Sequence, residues 1–141
     1  LSSEILPEFR EYDRAITTVM NDYVRPIMTR YLSRIEDRLA AEDVHARLHI
    51  VRSDGGLMSA PAAAQRPVHT VLSGPAGGVT STVMVARRTG IGRLLAFDMG
   101  GTSTDVSVIL DGKPTISRST EVGSFPAKVP TLDFRSVGAG G

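Results

Sequence analysis

Over the first third of the chain, apolar side chains return every three or four residues: Tyr12, Ile16, Val19, Met20, Tyr23, Val24, Ile27, Met28, Tyr31, Leu32, Ile35 and Leu39. Such spacing lays one stripe along a helix of 3.6 residues per turn, and the stripe is read as core. Arg10, Arg14, Arg30, Arg34 and Arg38 then fall on the wet face. Pro26 lies inside the pattern, which predicts a kink there or two helices meeting, with proline in a first turn.

After this the period changes. Arg47 to Arg52 alternates and reads as a strand, stopped by Ser53-Asp54-Gly55-Gly56, a turn taken as structural. Ser59 to Gln65 reads as a short helix with Pro61 in its first turn, ended by Pro67. Val68 to Leu72 predicts a brief strand. A helix follows to about Arg88, capped by Ser73 or Gly74 with Pro75 in its first turn. Its small residues admit two readings: close approach of another element, which is favoured, or an anion on the bare helix start. Close contact is expected at Gly77 and Gly78, with Val79, Val83 and Met84 against a sheet. Residues 93 to 120 predict three antiparallel strands, turning near Gly100-Gly101 and at Asp111-Gly112. Glu121 to Arg135, with Pro126 and Pro130, reads as a partly extended connection.

Charge narrows the function classes. The 141 residues carry a net charge of +1, so nothing drives the chain electrostatically towards nucleic acid. Cysteine is absent, which removes disulfides and thiolate chemistry and is compatible with a cytoplasmic protein. No apolar run reaches the ~18 residues of a membrane span, and no signal peptide is evident. His45, His49 and His69 share no metal-ligand spacing. The start at Leu1 and the stop within Val137-Gly138-Ala139-Gly140-Gly141 suggest an excised piece of a longer protein.

The candidate chemistry lies in Asp98-Met99-Gly100-Gly101-Thr102-Ser103-Thr104-Asp105, set between two apolar runs. Gly100 and Gly101 permit positive φ and close backbone approach by a ligand. Successive N–H groups in such a turn form an anion-binding concavity. Thr102, Ser103 and Thr104 add hydroxyl donors. Asp98 and Asp105 suit a hydrated Mg²⁺ or the orientation of an attacking water. An ordinary hairpin also favours Asp and Gly at its turn. It needs neither the second aspartate nor three consecutive hydroxyls, so a phosphate site is the preferred reading.

Small-residue helix, strand, Asp-x-Gly-Gly-Thr-x-Thr-Asp hairpin and third strand together resemble one half of the actin, sugar-kinase and 70-kDa heat-shock ATPase fold. Ser73-Gly74-Pro75-Ala76-Gly77-Gly78, the Asp98 to Asp105 hairpin and Val137-Gly138-Ala139-Gly140-Gly141, in this order, resemble the hydantoinase A/oxoprolinase family. Leu6 to Tyr12 and Arg52 to Met58 resemble it as well. The resemblance implies an α/β fold class: part of an actin-like, ribonuclease H-like ATPase lobe with long N-terminal helices and a mixed sheet containing an antiparallel meander. It also implies a partial domain over 1–141, helical over 1–45, with sheet, connecting helix and phosphate-binding hairpin over 46–141.

The function so implied is ATP- and Mg²⁺-dependent activation of a cyclic amide carbonyl by phosphorylation, for hydrolytic ring opening. A hydantoinase B-type subunit or domain would be the partner. A ketone carboxylase subunit and a non-catalytic nucleotide-binding module are the alternatives. Carried over residue by residue, Gly100, Gly101, Thr102, Ser103, Thr104, Gly138 and Gly140 would hold nucleotide, and Asp98 and Asp105 would be catalytic and metal-binding. The family's first phosphate motif, a similar hairpin, is missing from this sequence. The piece alone is therefore expected to be inactive.

Overall fold

The computed structural model describes residues 1–138; of the nucleotide-binding positions expected above, Gly140 lies outside the described residues. After a short helix α1 (Ser2–Ile5), helix α2 (Glu11–Ala41) runs unbroken through Pro26, so the two-helix expectation is corrected. A proline costs one backbone hydrogen bond and some strain. The flanking turns supply enough helix to carry it.

The apolar stripe of α2 is wider than the face that packs. Thr17, Asn21 and Leu32 are buried, whereas Tyr12, Val19, Tyr23, Ile27 and Tyr31 are exposed. This corrects the reading of the tyrosines as core: two adjacent ridges are apolar, and one of them meets the rest of the chain. The packed side is pinned by polar contacts. Asn21 donates through Nδ2 to the Gln65 carbonyl (3.3 Å) and accepts at Oδ1 from the Val68 N–H (3.4 Å). Thr17 Oγ1 accepts from the Lys128 N–H at 3.1 Å.

Strands β1 (His49–Val51) and β2 (Leu57–Ser59) form a hairpin. Helix α3 (Ala60–Gln65) follows, with proline in its first turn as expected and with Ser59, read above as its first residue, as its cap. Pro67–Thr70 is a 3-10 turn, which corrects the strand expected over Val68 to Leu72. Burial of Pro67 and Val68, with the Val68 N–H spent on Asn21, ties this segment to α2 and away from a sheet.

Helix α4 (Ser73–Thr89) buries Ala76, Val79, Val83 and Ala86 against Ile109 and Leu132, with Val51 and Leu94 at the margin. Met84, expected on that side, is exposed. The sheet beneath is β3 (Leu94–Met99), β4 (Thr104–Leu110), β5 (Lys113–Pro114) and β10 (Arg135–Val137), in order β10-β4-β3 with β5 also on β4. Between β5 and β10 lie β6 (Ile116–Ser117), β7 (Thr120–Val122), β8 (Phe125–Ala127) and β9 (Thr131–Leu132).

The meander over 93 to 120 is thus realised for two strands and the first two residues of the third. Asp111 and Gly112 take φ of 52° and 68°, as a tight hairpin with both central residues left-handed requires. After Pro114 the chain leaves β4; β6 pairs with β9, and β10 occupies the other half of the β4 edge. Glu121 to Arg135 is richer in strand than expected, holding the β7–β8 hairpin and β9. Every pairing among the described residues is antiparallel, so the mixed sheet expected from the resemblance is replaced there by antiparallel sheets. No helix among the described residues is long and apolar enough to cross a membrane.

Candidate functional site

Alternation along β3 and β4 decides what faces α4. Leu94, Ala96 and Asp98 share one face of β3, while Asp105, Ser107 and Ile109 share the matching face of β4. Asp98 and Asp105 are direct cross-strand partners. They line one cleft of about 260 Å³ with Pro75, Gly78, Thr82 and Phe134. The Asp98 side chain lies over Gly78: a Cβ built there would sit 3.4 Å from Oδ2. Asp105 accepts from the Ser136 hydroxyl on β10. Like charges placed directly opposite destabilise a strand pair. This fold nonetheless aims two carboxylates into one cleft.

The turn between them is tight. The Gly100 N–H donates to the Ser103 carbonyl at 2.9 Å, so this N–H is spent inside the hairpin. Neither Gly100 nor Gly101 adopts the left-handed φ that the sequence permits. A Cβ at Gly101 would meet nothing within 4 Å, so crowding does not require glycine there either. Thr102 is exposed, Ser103 half-buried and Thr104 buried between its sheet neighbours Met99 and Val137. Gly138 follows β10, whose Val137 pairs with Thr104, so it lies near the turn end of the hairpin.

At the helix start the close-packing reading holds at Ala76, which is fully buried, and at Gly78 against Asp98. Gly74 and Gly77 face open space, which corrects the close contact expected at Gly77. Leu72, just before the helix, takes φ 60° and ψ 26°, a left-handed conformation that leucine rarely adopts. Such strain gathers at functional segments.

Two features escaped the sequence reading. Phe134 closes the cleft and Ser136 holds Asp105, yet both lie in or just beyond what read as a connection. No local signal marks them, because their role depends on β10 pairing with β4 across some 30 residues of chain. Two carboxylates suit Mg²⁺, which keeps several waters and takes one or two protein carboxylates. The donor set of the cleft therefore fits that ion.

The profile of the hydantoinase/oxoprolinase family matches residues 14–141. This chain belongs to the hydantoinase/oxoprolinase family. It is 38% identical to the 5-oxoprolinase of Saccharomyces cerevisiae, over all of this chain and 11% of that protein. The crystal structure of an ATP-dependent caprolactamase from Pseudomonas jessenii superposes with a TM-score of 0.81 at 33% identity, over 99% of this chain and 20% of that one. A nucleotide-free acetone carboxylase, from work on ATP-dependent acetone carboxylation, superposes with a TM-score of 0.86 at 28% identity, over 99% and 19%. The chain thus spans between about a tenth and a fifth of the length of these relatives.

Proposed function

We propose that this chain supplies the phosphate- and metal-handling hairpin of an ATP-dependent enzyme that opens a cyclic amide, as part of an actin-like ATPase lobe. The observation that carries the reading is the in-register pair Asp98–Asp105, turned towards α4 and bounded by Gly78. A purely structural hairpin gains nothing from two opposed carboxylates. A cation between them turns that repulsion into attraction.

In this reading the carboxylates of Asp98 and Asp105 hold the ion's water shell, and Ser136 fixes the rotamer of Asp105. When bound, Mg²⁺ would neutralise charge on the phosphates of ATP. The open side of Gly101 leaves room for a phosphate beside the backbone. Thr102 and Ser103 offer hydroxyls, and Gly100, Thr104 and Gly138 shape the turn and its base. Phosphoryl transfer depends mainly on such positioning and charge stabilisation. The γ-phosphoryl group would pass from ATP to the amide oxygen, one water would add to the activated carbon, the C–N bond would break to free the amine and leave an acyl phosphate, and a second water would hydrolyse that to carboxylate and phosphate. A partner subunit of the hydantoinase B type would complete the enzyme, consistent with the subunit names of the caprolactamase and acetone carboxylase relatives.

The likeness to acetone carboxylase supports a second reading, in which bicarbonate and a ketone replace water and the cyclic amide. The test uses the full-length protein with its partner subunit. Phosphate release is measured with 5-oxoproline, with caprolactam, and with acetone plus bicarbonate. Release coupled to ring opening supports the first reading. Release only with acetone and bicarbonate selects the second.

A further inference from the structure

A second polar pocket, open to solvent and sharing no lining residue with the Asp98–Asp105 cleft, is lined by Arg52, Met58, Ala62, Gln65, Arg66 and His69, with a volume of about 410 Å³. Its geometry is fixed by backbone contacts. The Ser53 N–H donates to the His69 carbonyl at 2.8 Å, and Ser53 Oγ lies 2.8 and 2.6 Å from the carbonyl oxygens of His69 and Val71. Ser53 is buried, so the loop carrying Arg52 and the 3-10 turn carrying His69 are locked together.

Asp54 is committed to this loop: Oδ1 accepts from the Gly56 N–H at 3.0 Å and Oδ2 meets Arg52 Nη2 at 2.7 Å. Arg52 Nε, by contrast, is buried with no acceptor from the protein. Buried donors are almost always paired in native folds, so this one calls for an explanation. Arg66, at the C-terminal end of α3, has an exposed side chain with no carboxylate partner among the described residues. Burial first, and then the positive fields of Arg52 and Arg66, push the His69 imidazole below its ordinary value of 6.5, while Asp54 pulls the other way. A neutral imidazole offers one donor and one acceptor.

We infer that this cavity binds the carboxylate of a small organic acid. Two guanidinium groups set against one committed aspartate leave a single positive charge, which matches a monoanion and not a phosphate dianion. Guanidinium donors suit the planar geometry of a carboxylate. Met58 and Ala62 furnish an apolar wall for the remainder of the molecule.

The test is calorimetric titration of the full-length protein with cyclopentanecarboxylate, its uncharged amide cyclopentanecarboxamide, and inorganic phosphate, at constant chloride. Saturable binding of the carboxylate is expected, at least tenfold tighter than the amide or phosphate. Arg66→Gln should weaken it at least tenfold without moving the melting temperature, since that side chain holds nothing else in place. Asp98→Asn should leave it unchanged, which separates this site from the phosphate hairpin. Equal binding of acid and amide, tighter binding of phosphate, or an undiminished affinity in Arg66→Gln would each overturn the assignment. So would loss of binding in Asp98→Asn.

Discussion

Replacing Gly78 by alanine separates what the fold needs from what the cleft needs. Gly78 sits inside α4 with an ordinary helical φ, so alanine is compatible with its backbone. Such a change raises stability by about 0.4–1 kcal/mol, chiefly by restricting the unfolded chain. The new methyl group would meet Asp98 at 3.4 Å (Oδ2), 3.9 Å (Cβ) and 4.0 Å (Cγ), ordinary contacts without overlap. At ~0.1–0.2 kcal/mol per contact these add roughly 0.5 kcal/mol. The variant should therefore be more stable by about 1 kcal/mol, read as a higher urea midpoint at unchanged slope. Its methyl group also fills the space beside Oδ2 that a metal-bound water would use, so ATP turnover should fall. Gly77→Ala is the control, with nothing within 4 Å of its Cβ, and should gain similar stability while keeping turnover. Equal loss of turnover in both variants, or a destabilised Gly78→Ala, would rule out a metal-bound water beside Asp98 at this helix face.

Two further outcomes concern the buried Asn21 and the half-buried His69. Asn21→Ala strips the Gln65 carbonyl and the Val68 N–H of their partner, so urea unfolding should show a loss of about 1–3 kcal/mol. His69 binds its proton less readily in the folded chain than in the unfolded one. Stability should therefore be at its full value above pH 6.5 and decline as the pH falls below that towards the lower folded-state value. In His69→Gln this part of the slope should flatten, and an unchanged profile in pH-dependent melting would contradict it.

The local chemistry of the chain was largely legible from spacing. The short helix ending at Gln65 with Pro61 in its first turn, the Asp111-Gly112 turn and the hairpin from Asp98 to Asp105 all follow from residues adjacent in sequence. What could not be read depends on partners far along the chain. The exposure of Tyr12, Tyr23 and Tyr31 is set by which of two apolar ridges finds a neighbour, and periodicity alone treats both alike. The early end of β5 reflects competition from β10 for the same edge of β4. Val68 has the β-branched side chain of a strand residue, but its backbone is captured by Asn21, 47 positions earlier. At the candidate cleft, the aspartates were visible in the sequence, whereas Phe134 and Ser136 were not. Their importance comes from where the fold places them.

The proposed role of Asp98 and Asp105, paired across β3 and β4, is in phosphoryl transfer. Its most direct measurement compares ATP hydrolysis and melting temperature for Asp98→Asn and Asp105→Asn in the full-length protein with saturating Mg²⁺. Asparagine keeps the shape and removes the charge, and it relieves the repulsion across the strand pair. The melting temperature should be unchanged or raised in both variants and turnover reduced at least a hundredfold, as expected when a group acts mainly in the transition state. Near-normal turnover in both, or activity falling only in step with stability, would contradict it.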